Sequence, residues 1–223
     1  MLTIPQRIET FRVVPEIAIE DAEAAIPLAD ALAEGGLPVV EITFRTAAAV
    51  VAIEKIAHQR PEILVGAGTV ISEQNLRSAM DCGAAFGVSP GFNPKIFALA
   101  SKRKFPFIPG IMTPSDVESA LTAGAMLLKF FPAGAAGGEQ MLKSIAAPYV
   151  HTGVRFMPTG GVNENNLRDY LGLSIVLAVG GTWIATREDI ASKRWDVIRD
   201  NCLKAFRIVS ELESAAANRV LTN

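Results

Sequence analysis

Apolar and polar positions along this chain fall into two alternating patterns. Short apolar runs recur at Val13-Val14-Pro15-Glu16-Ile17-Ala18-Ile19, Val39-Val40-Glu41-Ile42-Thr43, Ile63-Leu64-Val65-Gly66, Ala85-Phe86-Gly87-Val88, Pro106-Phe107-Ile108-Pro109, Met126-Leu127-Leu128-Lys129, Arg155-Phe156-Met157-Pro158 and Val176-Leu177-Ala178-Val179. Each reads as a strand. Helical patterns fill the gaps, such as Asp21 to Glu34, ended by Gly35-Gly36, and Ala47 to His58, with Pro61 past its end. A short helix over Ile4 to Thr10 precedes the first strand, and Asp189 to Ala215 is long enough for one or two helices.

Taken at Val14, Val40, Leu64, Phe86, Phe107, Leu128, Phe156 and Leu177, the strand centres stand 21 to 28 residues apart. Strand–helix alternation at this period means parallel strands joined by crossover helices. Eight such units predict an α/β fold, a (β/α)8 TIM barrel with a short N-terminal helix, near the lower end of the size range. A leucine-rich solenoid has a similar period, but its signature is missing. A doubly wound open sheet is the rival, and the glycine fingerprint it usually carries after its first strand is absent. No linker or composition shift divides the chain, which predicts one domain over residues 1–223.

Composition narrows the function. Half of the 223 residues are hydrophobic and 20% are charged, enough apolar material for a sizeable core. A net charge of -2 without a basic run argues against nucleic acid as a partner. No apolar stretch is long enough to span a membrane, and the N-terminus lacks the order of a signal peptide. Cys82 and Cys202 sit far apart without metal-ligand spacing and read as reduced residues of a cytoplasmic protein. His58 and His151 are the only histidines and belong to no motif. A His-rich metal site is excluded, a Ser-His-Asp triad is disfavoured, and no metal or cofactor is expected.

In a parallel barrel, chemistry sits at the C-terminal ends of the strands. Here those ends collect the residues that a plain core avoids. Strand two carries Glu41, with Arg45 just beyond; strand three leads into Gly66-Ala67-Gly68-Thr69; strand four into Ser89-Pro90-Gly91. Strand six ends in Lys129, inside the run Leu127-Leu128-Lys129-Phe130-Phe131-Pro132. A lysine in apolar surroundings loses hydration, which lowers its pKa and yields a neutral amine able to attack a carbonyl. The plainer reading is a lysine whose tip reaches water. Alternation along a strand puts Glu41 on the face of Val39 and Lys129 on that of Leu127, so both can point into one barrel mouth. They make either a structural ion pair or an acid/base beside a nucleophile. Arg45 is either a solvated residue at a helix start or a bidentate clamp on a substrate carboxylate. Thr159-Gly160-Gly161 and Gly180-Gly181-Thr182 are expected to follow strands seven and eight as turns near helix N-termini, the usual place of a phosphate cradle.

Glu41-Ile42-Thr43-Phe44-Arg45-Thr46, Gly66-Ala67-Gly68-Thr69, Ser89-Pro90-Gly91, Pro109-Gly110, Lys129-Phe130-Phe131-Pro132-Ala133, Pro158-Thr159-Gly160-Gly161 and Gly180-Gly181-Thr182-Trp183 resemble the 2-keto-3-deoxy-6-phosphogluconate / 4-hydroxy-2-oxoglutarate aldolases. The resemblance runs from about Val13 to Ile190, in order and at compatible spacing. It implies a class I aldolase on a (β/α)8 barrel, a homotrimer working without metal. Its substrates would be small molecules, with pyruvate and a phosphorylated aldehyde as products; the alternatives are 4-hydroxy-2-oxoglutarate, giving pyruvate and glyoxylate, or a related 2-keto-3-deoxy acid giving another aldehyde. On this resemblance Lys129 is the Schiff-base lysine and Glu41 the general acid/base. Arg45 binds the pyruvate carboxylate, with Thr69 and Pro90 lining the same pocket and Phe131 beside the lysine. Thr159, Gly160, Gly161, Gly180, Gly181 and Thr182 fall where the family binds a distal phosphate. Two residues depart from the pattern: Thr182 stands where serine is common, and Glu16 where an apolar residue is usual. A carboxylate pointing into the mouth at Glu16 is costly unless paired, and is expected to alter aldehyde preference. Otherwise Glu16 lies at the start of its strand and faces water.

Overall fold

The structure, a computed structural model, describes residues 2–221, with side chains through residue 215. Eight strand positions follow one another: β1 (Val13–Ile17), β2 (Val39–Thr43), β3 (Leu64–Gly68), β4 (Phe86–Val88), β5, β6 (Leu127–Phe130), β7 (Arg155–Pro158) and β8 (Val179–Gly181). Strand β5 comes in two pieces, Phe107–Ile108 and Gly110–Ile111, broken at Pro109, which has no N–H for the ladder. The first piece pairs with β4 and the second with β6, so β5 joins two runs of parallel strands. Strand β8 pairs with β1 through Val14↔Gly180, and a single bridge, Thr159↔Gly180, ties it to the end of β7. The ring of strands closes, as the alternation of the sequence predicts.

The helices lie outside the ring: α1 (Ile4–Phe11), α2 (Ala25–Glu34), α3 (Ala49–Gln59), α4 (Glu73–Asp81), α5 (Pro94–Lys102), α6 (Pro114–Thr122), α7 (Gly138–Ala146), α8 (Leu167–Leu171), α9 (Arg187–Ala191) and α10 (Trp195–Leu221). Their starts are written locally. Thr113 and Asp116, and again Thr186 and Asp189, form reciprocal capping boxes, and Pro94 and Pro114 occupy first-turn positions where no N–H is needed. The stretch from Asp189 to Ala215 falls into two helices, α9 and α10, with Lys193 in left-handed backbone between them. Among the described residues no helix is long and apolar enough to cross a membrane.

Alternation sorts each strand into two layers. Val13, Ile17, Val40, Ile42, Val65, Ala67, Leu128, Phe130 and Phe156 face the helices. Val14, Val39, Leu64, Phe86, Val88, Ile108, Leu127 and Met157 fill the barrel's lower interior, and Ile8 of α1 packs under them. The short N-terminal helix is thus the plug of one end. Two positions further along β1, β2 and β6, the same inward face carries Glu16, Glu41 and Lys129.

The eighth strand differs from its expected place. Val176 makes only a single bridge, and the strand proper is Val179–Gly181. Gly180 and Gly181 are therefore strand residues and not a turn. Space explains the glycines: a Cβ at Gly180 would run into the Thr159 side chain, and one at Gly181 into the Trp183 ring.

Candidate active site

Three strands and one loop bring four charged groups together at the mouth. The register sets Glu16 of β1 directly beside Glu41 of β2. Lys129 reaches across from β6. Its Nζ donates to Glu16 Oε2 at 2.6 Å and to Glu41 Oε1 at 3.2 Å. Arg45, beyond β2, donates through Nη2 to Glu16 Oε1 at 3.0 Å and through Nε to Thr43 Oγ1 at 3.0 Å. Thr43 in turn donates to the Ile17 carbonyl, which pins the β1–β2 seam under the guanidinium. Lys129 and Glu41 are buried, whereas the Arg45 side chain is 43% exposed. The Phe131 ring lies 5.4 Å from Nζ, within cation–π range.

Glycine makes the room. A Cβ at Gly68 would meet Glu41 Oε1, and one at Gly66 the Phe86 ring, so the Gly66-Ala67-Gly68 stretch of β3 is small because its inward face is already filled. Thr69, just past it, sits at φ 58°, left-handed backbone that a β-branched residue adopts only under strain, on the order of 1–3 kcal/mol. A Cβ at Gly110 would collide with the Pro90 carbonyl, so Pro109-Gly110 lets the loop after β4 close over the sheet.

The electrostatics differ from the expectation of a desolvated, neutral lysine. Burial works against the Lys129 ammonium, but the charges of Glu41 and Glu16, and hydrogen bonds to both, outweigh it and hold the amine above the ordinary lysine range. Burial pushes the Glu41 carboxyl up and the Glu16 charge adds to this, against the pull of Lys129. Oε2 of Glu41 is buried and has no hydrogen-bond partner. The site at rest is an ion cluster with one spare acceptor. The Lys129 ammonium has a proton acceptor within 3.2 Å, in a carboxyl already disposed to bind a proton.

Lys129, Glu41, Arg45 and Phe131 thus meet as expected. Pro90 and Thr182 are exposed at the rim, and neither is hydrogen-bonded to this cluster. Thr159 is buried and Gly160 and Gly161 form a true turn at φ 88° and 83°. The loop after β6 lies on that turn: Ala133 N donates to the Thr159 carbonyl and Gly134 N to the Gly160 carbonyl. Phe131 links the two halves, since a Cβ at Gly160 would stand 3.2 Å from its ring. Neither glycine pair starts a helix. The helices α8 and α9 are five residues long and begin after Asn166 and Thr186.

The sequence left Glu16 two places, in the mouth acting on aldehyde preference or at the strand start facing water, and gave it no contact with Lys129 or Arg45. The structure points it inward, 7% exposed and paired with Lys129 and Arg45, so the water-facing alternative does not hold. The signal was one acid among the apolar residues of β1, in phase with Val14.

A family model described as KDPG and KHG aldolase matches residues 4–201. The chain is 43% identical to the 2-dehydro-3-deoxy-phosphogluconate aldolase of Haemophilus influenzae, over 87% of this chain and 91% of that one. It is also 43% identical to the KHG/KDPG aldolase of Escherichia coli K12, over 85% and 88%. Among solved structures, it resembles a KDPG aldolase from Legionella pneumophila with pyruvate captured at low pH as a covalent carbinolamine intermediate. The TM-score is 0.87 at 39% identity, covering 91% of this chain and 98% of that one. With a closed parallel barrel, a lysine between carboxylates in its mouth and likeness of this extent, the chain belongs to the KDPG and KHG aldolase family.

Proposed function

We propose that this aldolase, a carbon–carbon lyase, cleaves 2-keto-3-deoxy-6-phosphogluconate to pyruvate and glyceraldehyde 3-phosphate through a Schiff base on Lys129. The observation that carries this reading is the buried contact between Lys129 Nζ and Glu41, with the second Glu41 oxygen unpartnered. A buried acceptor without a partner calls for an explanation, and a proton-transfer role for Glu41 supplies one.

The Lys129 ammonium hands a proton to Glu41. The free amine adds to C2 of the 2-keto acid; a C–N bond forms and the carbonyl π pair moves to oxygen, which takes the proton that the newly bonded nitrogen sheds. The carbinolamine hydroxyl, protonated by Glu41, leaves as water and an iminium remains. Glu41, again a carboxylate, takes the proton of the 4-hydroxyl. The C3–C4 bond breaks, its electron pair flows into the iminium, and the aldehyde departs. C3 of the enamine takes the proton back from Glu41. Water then adds to the iminium, giving pyruvate and the Lys129 ammonium.

Arg45 holds the substrate carboxylate and fixes C2 against Nζ, with Thr69 and Pro90 lining that half and Phe131 covering the lysine. Thr159, Gly160, Gly161, Gly180, Gly181 and Thr182 receive the distal phosphate. The Gly160-Gly161 turn against the β6 loop supports that end, and the helix termini do not. The family resemblance supports a homotrimer in the cytoplasm. The double name of the Escherichia coli relative favours 4-hydroxy-2-oxoglutarate as a second substrate.

Borohydride added with pyruvate tests the covalent step: Lys129 gains the mass of reduced pyruvate. An unmodified lysine after full reduction, with turnover intact, overturns it. A panel of aldehydes condensed with pyruvate by the purified protein ranks the natural partner.

A further inference from the structure

Resting on the aldolase reading, the geometry points to Glu16 as a counter-ion that the substrate carboxylate must displace from Arg45 and that stays behind to balance the iminium on Lys129. The argument begins with burial. Glu16 is 7% exposed, on a strand whose other residues are apolar, and a carboxylate there persists only if it is paired. Both its oxygens are used, Oε2 by Lys129 at 2.6 Å and Oε1 by Arg45 at 3.0 Å. The two groups it holds are the nucleophile and the clamp, so Glu16 spans the span that a bound 2-keto acid must occupy between its carboxylate and its C2.

The charged groups facing Glu16 are Lys129 on β6, Glu41 on β2 and Arg45 beyond β2. With both carboxylates ionised the four charges sum to zero. An incoming carboxylate brings one negative charge too many unless a proton stays in the cluster, and Glu41, 3.2 Å from Nζ, is where it goes. Once the iminium forms, its positive charge has Glu16 alongside. Glu16 therefore opposes substrate binding through Arg45 and supports the covalent intermediate through Lys129. It acts on the pyruvate half of the site, not on the aldehyde half where sequence reasoning placed its effect.

Steady-state kinetics of E16Q and E16V across pH, with pyruvate methyl exchange as a second readout, test this. In both variants the KM for pyruvate falls about fivefold, as Arg45 is freed. The kcat falls too, as the iminium loses its partner. The ascending limb of the kcat/KM profile moves to lower pH, because an ammonium without Glu16 deprotonates more easily. A purely structural role would raise KM and leave the limb in place. E16Q keeps the shape of the side chain, so it carries the test if E16V does not fold. A limb and KM in E16Q equal to the parent's overturn the inference while borohydride trapping of the parent stands. Failure of trapping in the parent overturns the aldolase reading and the inference with it.

Discussion

The two ends of the barrel interior are built from the same strands and obey opposite rules. At the lower end Val14, Val39, Leu64, Phe86, Leu127 and Met157 interlock over Ile8 of α1 and leave no polar atom to satisfy. Two residues further along β1, β2 and β6, the inward side chains are Glu16, Glu41 and Lys129, which hold one another by charge. The apolar end is tolerant in kind and strict in volume. The charged end is strict in kind, because removing one member leaves an unbalanced charge among the buried groups that remain. Stability and chemistry are thereby separated by one step of the strand period.

The sharpest test of that separation is Lys129→Ala. It should reduce cleavage to background and also destabilise the fold by about 3–5 kcal/mol at neutral pH, since buried Glu41 loses its ion-pair partner and Glu16 keeps only Arg45. Urea unfolding alongside the aldolase assay measures both, and acid, by protonating the carboxylates, should restore part of the lost stability. Retained turnover would end the Schiff-base assignment. Glu41→Gln comes next: exchange of the pyruvate methyl protons, followed by NMR, should slow by about 10²–10⁴. It also reverses a sign in stability. The Glu41 carboxyl is held above its usual range, chiefly by burial, so its contribution is present at acid pH and lost as pH rises through that raised value. The variant should therefore lose that slope and gain relative stability toward neutral pH.

At the other end, Phe86→Ala should cost about 3–5 kcal/mol of stability while leaving the pH profile of activity in place. A moved profile would mean that the two ends are coupled. The smallest effect is expected from Gly68→Ala. Its Cβ meets Glu41 Oε1, so kcat should fall by roughly tenfold and stability by about 1–3 kcal/mol as the buried carboxylate shifts. An unaltered kcat would show that Glu41 has freedom to move.

Most of the barrel was legible because each unit announces itself locally. The β-branched runs, the capping threonines and the Gly-Gly stop after α2 act within a few residues of where they stand. The eighth strand was legible only in part. Val176 to Val179 is the more apolar stretch, but pairing with β1 draws the strand onward to Gly181, where the close approach of Thr159 and Trp183 admits only glycine. In the site, the in-phase positions of Glu41 and Lys129 follow from strand periodicity alone.

What the chain determines by itself is the order of elements, the face each residue takes and the identity of the nucleophile candidate, since these depend on spacing along the backbone. What only the tertiary structure decided is the charge state of that nucleophile. Glu16 and Lys129 are 113 residues apart and meet at 2.6 Å because the ring closes. Burial alone would have lowered the amine's pKa, and two carboxylates brought in from β1 and β2 reverse the outcome. Electrostatic energy depends on distance in space, and no local pattern in the sequence encodes it.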